Sequence, residues 1–309
     1  MEAVVLQNLV KKYQRVTAID DISIAVASGQ IFGFLGPDGA GKTSLFQILC
    51  GILTATSGKV SVLGIDVMKH PEKLKQELGY MAQKFALYTD LTVKENLDFF
   101  ADLFNTPLRG LAQRKQELLR FAGLSRFQDR LAGNLSGGMK QKLALCCTLI
   151  HTPRILVLDE PTTGVDPVSR QEFWEMLTPL PGQGTTVIVS TAYMDEAAKC
   201  DRVAMMDLGR ILQSGTPAEL KMPLSGKIYE ITGERLMEIY DLLLNSVKDV
   251  QLYGDRLHTQ LKPGMASDSE RGRKWLETVL SENGFEVTVK NIEPSLGDVF
   301  IQLLTEVKP

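Results

Sequence analysis

The sequence predicts an α/β domain built around a parallel sheet, followed by a smaller α+β domain, and three observations carry that reading. IFGFL, residues 31–35, is a short apolar run ending in a glycine-rich loop, as a buried parallel strand does. TSLFQILCGIL follows with helical spacing, so strand, loop and helix come in that order. Two further apolar strands, RILVLDE and TTVIVST, flank a helical segment, SRQEFWEML.

The remaining elements follow in chain order. VVLQNLVKKY and DISIAVASGQIFGFLG are rich in strand formers and punctuated by Ser28 and Gly29. Residues 59–63 and 78–81 are further strands. From about residue 85 to 150 the pattern turns helical: VKENLDFFADLF sets Leu97, Phe100, Ala101 and Phe104 on one face, and RKQELLRFAGL and SGGMKQKLALCCTLI are amphipathic as well. An all-helical insert within the α/β domain is therefore expected. The first domain is expected to span residues 1–220, with the turn-rich KMPLSGK beginning the second, 221–309. There the order is strand (KIYEIT), helix (ERLMEIYDLLLNSV), a hairpin (VQLYGDRLHTQL) turning near Gly254 and Asp255, helix, strand (FEVTVKNI) and a last helix (SLGDVFIQLL). That βαββαβ order predicts a small ferredoxin-like domain.

Composition narrows the function. A formal charge of -3 over 309 residues gives no basic footprint, so no nucleic-acid partner is expected. No run of 18 apolar residues occurs and the N-terminus lacks the order of a secretion signal, so a cytoplasmic location is expected. The four cysteines form no CxxC pair; Cys146 and Cys147 sit in an apolar helical run and are expected to be buried small hydrophobes.

GPDGAGKT, residues 36–43, completes the pattern G-x-x-x-x-G-K-[ST] between a buried strand and a helix. In such a loop the glycines at 36, 39 and 41, with Pro37, Asp38 and Ala40 between them, let backbone N–H groups converge on phosphate oxygens. Lys42 can neutralise the β- and γ-phosphates, and Thr43 offers a hydroxyl to Mg²⁺. The plain alternative is a glycine-rich turn that binds nothing. RILVLDE ends in Asp159 and Glu160, and two carboxylates at the mouth of a buried strand are costly unless they serve a metal or a reaction. Asp159 fits the holding of Mg²⁺, and Glu160 the polarising of an attacking water. The alternative is a strand-end charge facing solvent.

LSGGMKQ, residues 135–141, resembles the LSGGQ signature of ABC ATPases, and with the motifs above in this order the chain is identified as resembling that family over residues 1 to about 220. The resemblance implies a P-loop NTPase core of the ABC-ATPase kind, binding ATP and Mg²⁺. It implies that Ser136, Gly137 and Gly138, together with Asp166 of GVDP, face the nucleotide of a second ATPase subunit. Ser136 can also cap its helix. Tyr13 resembles the aromatic that stacks on adenine, or is a plain strand-end tyrosine. Ser44 falls in the nucleotide-binding set. Gln83 resembles the glutamine that contacts Mg²⁺ or water. The family further implies membrane permease subunits as partners, holding the ATPase at the inner face of the membrane. The tail ending EPSLGDVF is similar to that of drug- and polyketide-exporter ATPases.

Two positions depart from the family pattern. STAYMDEA places Ala192 where the family has a histidine that meets the γ-phosphate, and the three histidines, His70, His151 and His258, lie elsewhere in the sequence. Loss of one such group costs about 3 to 4 kcal/mol in the transition state, or roughly 10²–10³ in rate. Tyr193 is expected on the other face of a strand. Asp38 stands where asparagine is usual; facing phosphate it would cost roughly 1 to 4 kcal/mol, unless it faces the partner or solvent. The expected function is therefore ATP-driven transport, by export, through separate permeases, with a slow site on this chain paired with a competent partner or with a slow copy of itself. The rivals are a non-catalytic nucleotide-binding regulator and an ABC ATPase acting on ribosomes or DNA; the latter lacks the second cassette or sustained heptads it usually carries.

Overall fold

The computed structural model describes residues 1–84, 87–265 and 268–307. It divides into two compact units, Met1–Ser214 and Gly215–Pro309. The division falls ahead of residue 220 because the short helix Pro217–Lys221, closed by a Thr216–Glu219 capping box, packs with the second unit's last helix.

The first unit holds two sheets. Its six-stranded sheet runs in the order Arg210–Gly215, Arg202–Asp207, Ile31–Leu35, Thr186–Thr191, Ile155–Asp159, Leu78–Met81. Ile31–Leu35 pairs in parallel with both its neighbours, and Ile155–Asp159 does the same. The three central strands are buried throughout, which is why they read as unbroken apolar runs rather than alternating ones. Register matters most at their ends: Leu35 lies opposite Thr191, and Asp159 opposite Ser190. Three chain segments therefore leave the sheet at one level, at the carboxyl ends where open α/β sheets place their ligands.

The second sheet is antiparallel, in the order Val16–Ala27, Glu2–Tyr13, Ser57–Val62, Ile65–Asp66. Its apolar face shares one core with Phe32, Phe34 and Phe46, so the strand that ends in Tyr13 is fixed relative to the phosphate-loop helix Lys42–Leu49.

Between the sheet strands lie the helices Val93–Leu103, Leu111–Phe121 and Gly137–Leu149. The first opens with a Thr92–Glu95 capping box. Residues 85 and 86, where the helical insert was expected to begin, lie outside the described residues. Cys146 and Cys147 are buried, and burial pushes the Cys146 thiol up to about 12, which leaves it an inert core group.

The second unit is a four-stranded antiparallel sheet in the order Asp249–Tyr253, Arg256–Gln260, Ile228–Gly233, Val287–Ile292. Numbering its strands along the chain gives 2-3-1-4, and the helices Leu236–Leu243 and Ser269–Glu282 complete the βαββαβ ferredoxin-like arrangement. Its core joins Ile231, Leu257 and Val289 of the sheet to Ile239, Leu243, Leu276 and Leu280 of the helices.

Candidate functional site

The phosphate loop turns on two left-handed glycines, Gly39 at φ 81° and Gly41 at φ 98°. A Cβ on Gly41 would lie 2.2 Å from the Ala18 carbonyl oxygen, and one on Gly36 would lie 2.3 Å from that of Met206, so neither position tolerates a side chain. Gly39 meets nothing within 4 Å and faces open space. The Lys42 ammonium is only 3% exposed; it donates to the carbonyls of Gly36 at 2.8 Å and Pro37 at 2.9 Å. Its third neighbour is Glu160 Oε1 at 2.9 Å.

Glu160 is the hub. Gln83 Nε2 donates to its Oε2 at 3.0 Å, and the Thr163 hydroxyl to the same oxygen at 3.4 Å. Its backbone sits at φ 47°, a left-handed conformation that costs a non-glycine residue energy and turns the chain sharply out of the strand. Residues 38–44, Gln83 and Glu160 line one cleft of about 360 Å³ with Ala18. Asp38 is exposed and lines this cleft. Tyr13 stands beside it, its hydroxyl 3.3 Å from that of Ser44 and its ring 41% exposed, with the Lys11 ammonium 4.8 Å from the ring centre.

Behind Glu160, Asp159 is fully buried. The Ser190 hydroxyl donates to Asp159 Oδ1 at 2.8 Å and accepts from the Glu160 N–H at 2.9 Å. Burial pushes the Asp159 carboxyl up from the ordinary carboxylate range, while the Ser190 hydroxyl pulls it the other way. Among the described residues its second oxygen, Oδ2, is buried without a hydrogen-bond partner in range, although the nearby Thr43 hydroxyl also pulls the carboxyl down. An orphaned carboxylate oxygen beside the phosphate loop fits a hard divalent cation such as Mg²⁺, which takes oxygen ligands. Thr43 and Gln83 line the cleft and could complete the set.

Ala192 follows the strand end at Thr191, whose carbonyl accepts the N–H of Gly36 at 3.2 Å. It is exposed. The strand stops at Thr191, so the alternation expected for Tyr193 does not apply: Tyr193 begins the short helix Met194–Ala197, and the Arg170 guanidinium lies 4.3 Å from its ring centre. Arg170 also bonds Asp195 at 2.9 Å and approaches Glu196 at 3.7 Å. Glu196, 1% exposed, accepts short bonds from the Thr162 and Thr191 hydroxyls, both at 2.6 Å. From sequence, Ser190 and Glu196 stand out only as positions of STAYMDEA that match the family pattern, and Thr162 and Arg170 do not stand out at all. Their pairings join residues 5 to 34 positions apart and become visible only with the strand register.

The expected partner-facing residues are not brought into this cleft. Ser136 caps the helix Gly137–Leu149, accepting from the Met139 N–H. Gly137 has open space where a Cβ would stand, whereas Gly138 is closed off by Ser169, 2.3 Å from a Cβ placed there. Gly138 thus serves the approach of the helix Pro167–Leu177, and the exposed edge is Ser136 and Gly137. Asp166 caps that second helix, accepting from the Ser169 N–H at 2.9 Å, a bond that holds its carboxyl below the ordinary range. An Asp-Pro pair opening a helix was the available signal for this role. A Lys142–Glu172 bond at 2.8 Å ties the two helices together.

A glycine-rich loop cradling a buried lysine, with an acid pair at the end of the neighbouring strand, defines a P-loop nucleotide-binding protein. Comparison with known proteins agrees and narrows the class. Residues 19–163 match the family model described as ABC transporter. The chain is 35% identical over 304 residues to the Nod factor export ATP-binding protein I of Rhizobium sp. (strain N33), covering 97% of this chain and 96% of that protein. It is 35% identical over 309 residues to the daunorubicin resistance ATP-binding protein DrrA2 of Streptomyces coeruleorubidus, covering 97% and 94%. With the probable multidrug ABC transporter ATP-binding protein YbhF of Escherichia coli (strain K12) it shares 40% identity over 93% of this chain, which spans only about half, 49%, of that protein. A solved dimeric structure of the ATP-binding cassette MJ0796, bound to ADP and Pi, superposes with a TM-score of 0.63 at 25% identity, over 69% of this chain and 98% of that one. The chain belongs to the family of ABC transporter ATP-binding proteins. Among the described residues no helix is long and apolar enough to cross a membrane.

Proposed function

We propose that this chain binds and slowly hydrolyses ATP to drive export by separate membrane permease subunits, acting in a pair with a second ATPase subunit. The observation that supports this best is the convergence of Lys42 and Gln83 on Glu160 at the mouth of the phosphate loop. Lys42 is neutralised by Glu160. Phosphate oxygens offer Lys42 a stronger anionic partner, and its departure frees Glu160 to accept a proton from water. Hydrolysis joins that water's oxygen to the γ-phosphorus and breaks the bond to the β-phosphate oxygen, giving ADP and phosphate. Gln83 keeps Glu160 oriented, the loop N–H groups hold the phosphates, and Tyr13 offers its exposed ring to the base. Thr43, Gln83 and Asp159 would hold Mg²⁺, which when bound neutralises charge on the phosphates.

Ala192 leaves the γ-phosphate without a histidine at the strand end, so this site turns over slowly and serves as a clamp. Ser136, Gly137 and Asp166 stand outside their own cleft and close the site of the partner subunit. A histidine-bearing partner then fires rapidly through this chain's intact signature. The chain is held at the cytoplasmic face of the membrane through the permeases, and the names of its relatives favour a small organic cargo.

The test is equilibrium binding of Mg-ATP and steady-state hydrolysis by the purified chain. Lys42→Ala should weaken ATP binding by at least about tenfold, the loss of one charge-assisted contact to phosphate. Glu160→Gln should retain binding while hydrolysis falls below that of the unaltered chain. Failure of the unaltered chain to bind Mg-ATP at about 1 mM would overturn the proposal.

A further inference from the structure

We infer that the C-terminal unit carries a second binding site, for a small multiply charged anion. Its cavity, about 420 Å³, falls in the size range of about 300–1,000 Å³ typical of small-molecule sites. Tyr229 lies at its floor, while Gln260, which the strand pairing turns to the other face of the sheet, borders it at the strand end. Tyr229, on the central strand, is 3% exposed, and Gln260, on the adjacent strand, is 9% exposed. Neither has a side-chain hydrogen-bond partner among the described residues. The Tyr229 hydroxyl opens on the cavity and is free to bond a ligand there.

The surrounding structure accommodates the Tyr229 hydroxyl. A Cβ on Gly272 would lie 2.0 Å from Tyr229 Oη. Glycine there weakens its helix relative to alanine, yet it leaves room for the phenol oxygen. Burial and the Asp268 charge push the Tyr229 phenol up, so it remains a proton donor at neutral pH.

The rim supplies the charge. Lys227, Lys248 and Lys262 line the cavity against one carboxylate, Asp268. The ammonium groups of Lys227 and Lys262 donate only to the neutral carbonyls of Pro223 at 2.8 Å and Asn245 at 2.7 Å. Lys248 reaches Glu306 at 4.0 Å. Among the described residues these two cations have no carboxylate partner, and beside a phenol free to bond they match a ligand with two or more negative charges and hydroxyl or oxo groups. Phosphate esters and polycarboxylates share that chemistry.

Calorimetric titration of the full-length Lys42→Ala chain tests this, since phosphate binding at the first site is then weakened. The probes are fructose 1,6-bisphosphate, inorganic pyrophosphate and citrate. At least one should bind with a Kd below about 1 mM, and binding should weaken as salt rises. The exposed double change Lys227→Gln with Lys262→Gln should weaken it by at least about tenfold, and Tyr229→Phe by about threefold or more, with thermal unfolding unchanged for the double variant. Binding by the phosphate probes alone assigns a phosphate ester; binding by citrate alone assigns a polycarboxylate. No binding of any probe at about 10 mM, or binding indifferent to the lysine changes, would overturn the inference.

Discussion

Replacing Ser190 by alanine removes one hydroxyl and breaks two buried bonds, one to Asp159 Oδ1 and one from the Glu160 N–H. Both partners stay where water cannot easily reach: Asp159 is 0% exposed and Glu160 8%, and among the described residues the other Asp159 oxygen has no partner in range. The unpaired N–H costs about 1–3 kcal/mol and the lost bond to a carboxylate about 1.5–3. The two losses share one site and are not additive, so about 3 kcal/mol is expected, or about 6–12 °C in Tm for a unit of this size. The assay is urea unfolding followed by the fluorescence of Trp174, in a Trp275→Phe background so that the signal comes from the first unit alone. Ser190 also pulls the Asp159 carboxyl down, so its loss should raise the pH needed for divalent-cation binding. A destabilisation under about 0.5 kcal/mol, with cation binding unmoved, would refute the reasoning that Ser190 organises the acid pair.

Other expectations follow from the same geometry. Arg170→Met leaves the buried Glu196 carboxylate without its cation and removes the guanidinium from the Tyr193 ring; a loss of about 2 kcal/mol is expected in chemical unfolding, with slower nucleotide turnover as the segment after Thr191 loosens. Gly138→Ala drives a methyl into Ser169, so the variant should unfold at lower temperature, whereas Gly137→Ala, with open space around it, should melt normally and fail only in assays that need a partner subunit. In the C-terminal unit, burial alone would raise the Asp298 carboxyl, but hydrogen bonds from His258 and Ser295 outweigh it and hold the carboxyl below the ordinary range. A depressed carboxylate adds stability above its unfolded value, 3.8, and that contribution is lost as pH falls through the lower folded value; Asp298→Asn should therefore lower stability at neutral pH and flatten the acid limb of a pH–stability profile.

What was legible in the sequence was what is local. The phosphate loop is eight consecutive residues, and its strand and helix neighbours announce themselves by composition. The βαββαβ order of the C-terminal unit was equally plain, because each element has its own periodicity and the Gly254 turn is short. Less visible was anything set by strand pairing. Asp159 and Glu160 stand out as a pair, but that Ser190 bridges them depends on Asp159 lying opposite Ser190 in a parallel register 31 residues apart. Nothing local in SRQEFWEML marks Arg170, whose helix carries its guanidinium to the Tyr193 ring. Gly138 looked like a phosphate-facing glycine because its motif suggested that role; the packing of the helix led by Asp166 gives it another. Tyr229 reads as one more core residue of its strand, and only the cavity at its hydroxyl sets it apart.

The central claim, that Ala192 makes this ATP site a slow clamp, is tested most directly by single-turnover hydrolysis of Mg-ATP by the purified chain beside Ala192→His. The account predicts that both bind ATP alike and that the histidine speeds hydrolysis by at least about tenfold, a part of the roughly 10²–10³ such a contact is worth. Fast hydrolysis by the unaltered chain, unchanged by the histidine, would contradict it.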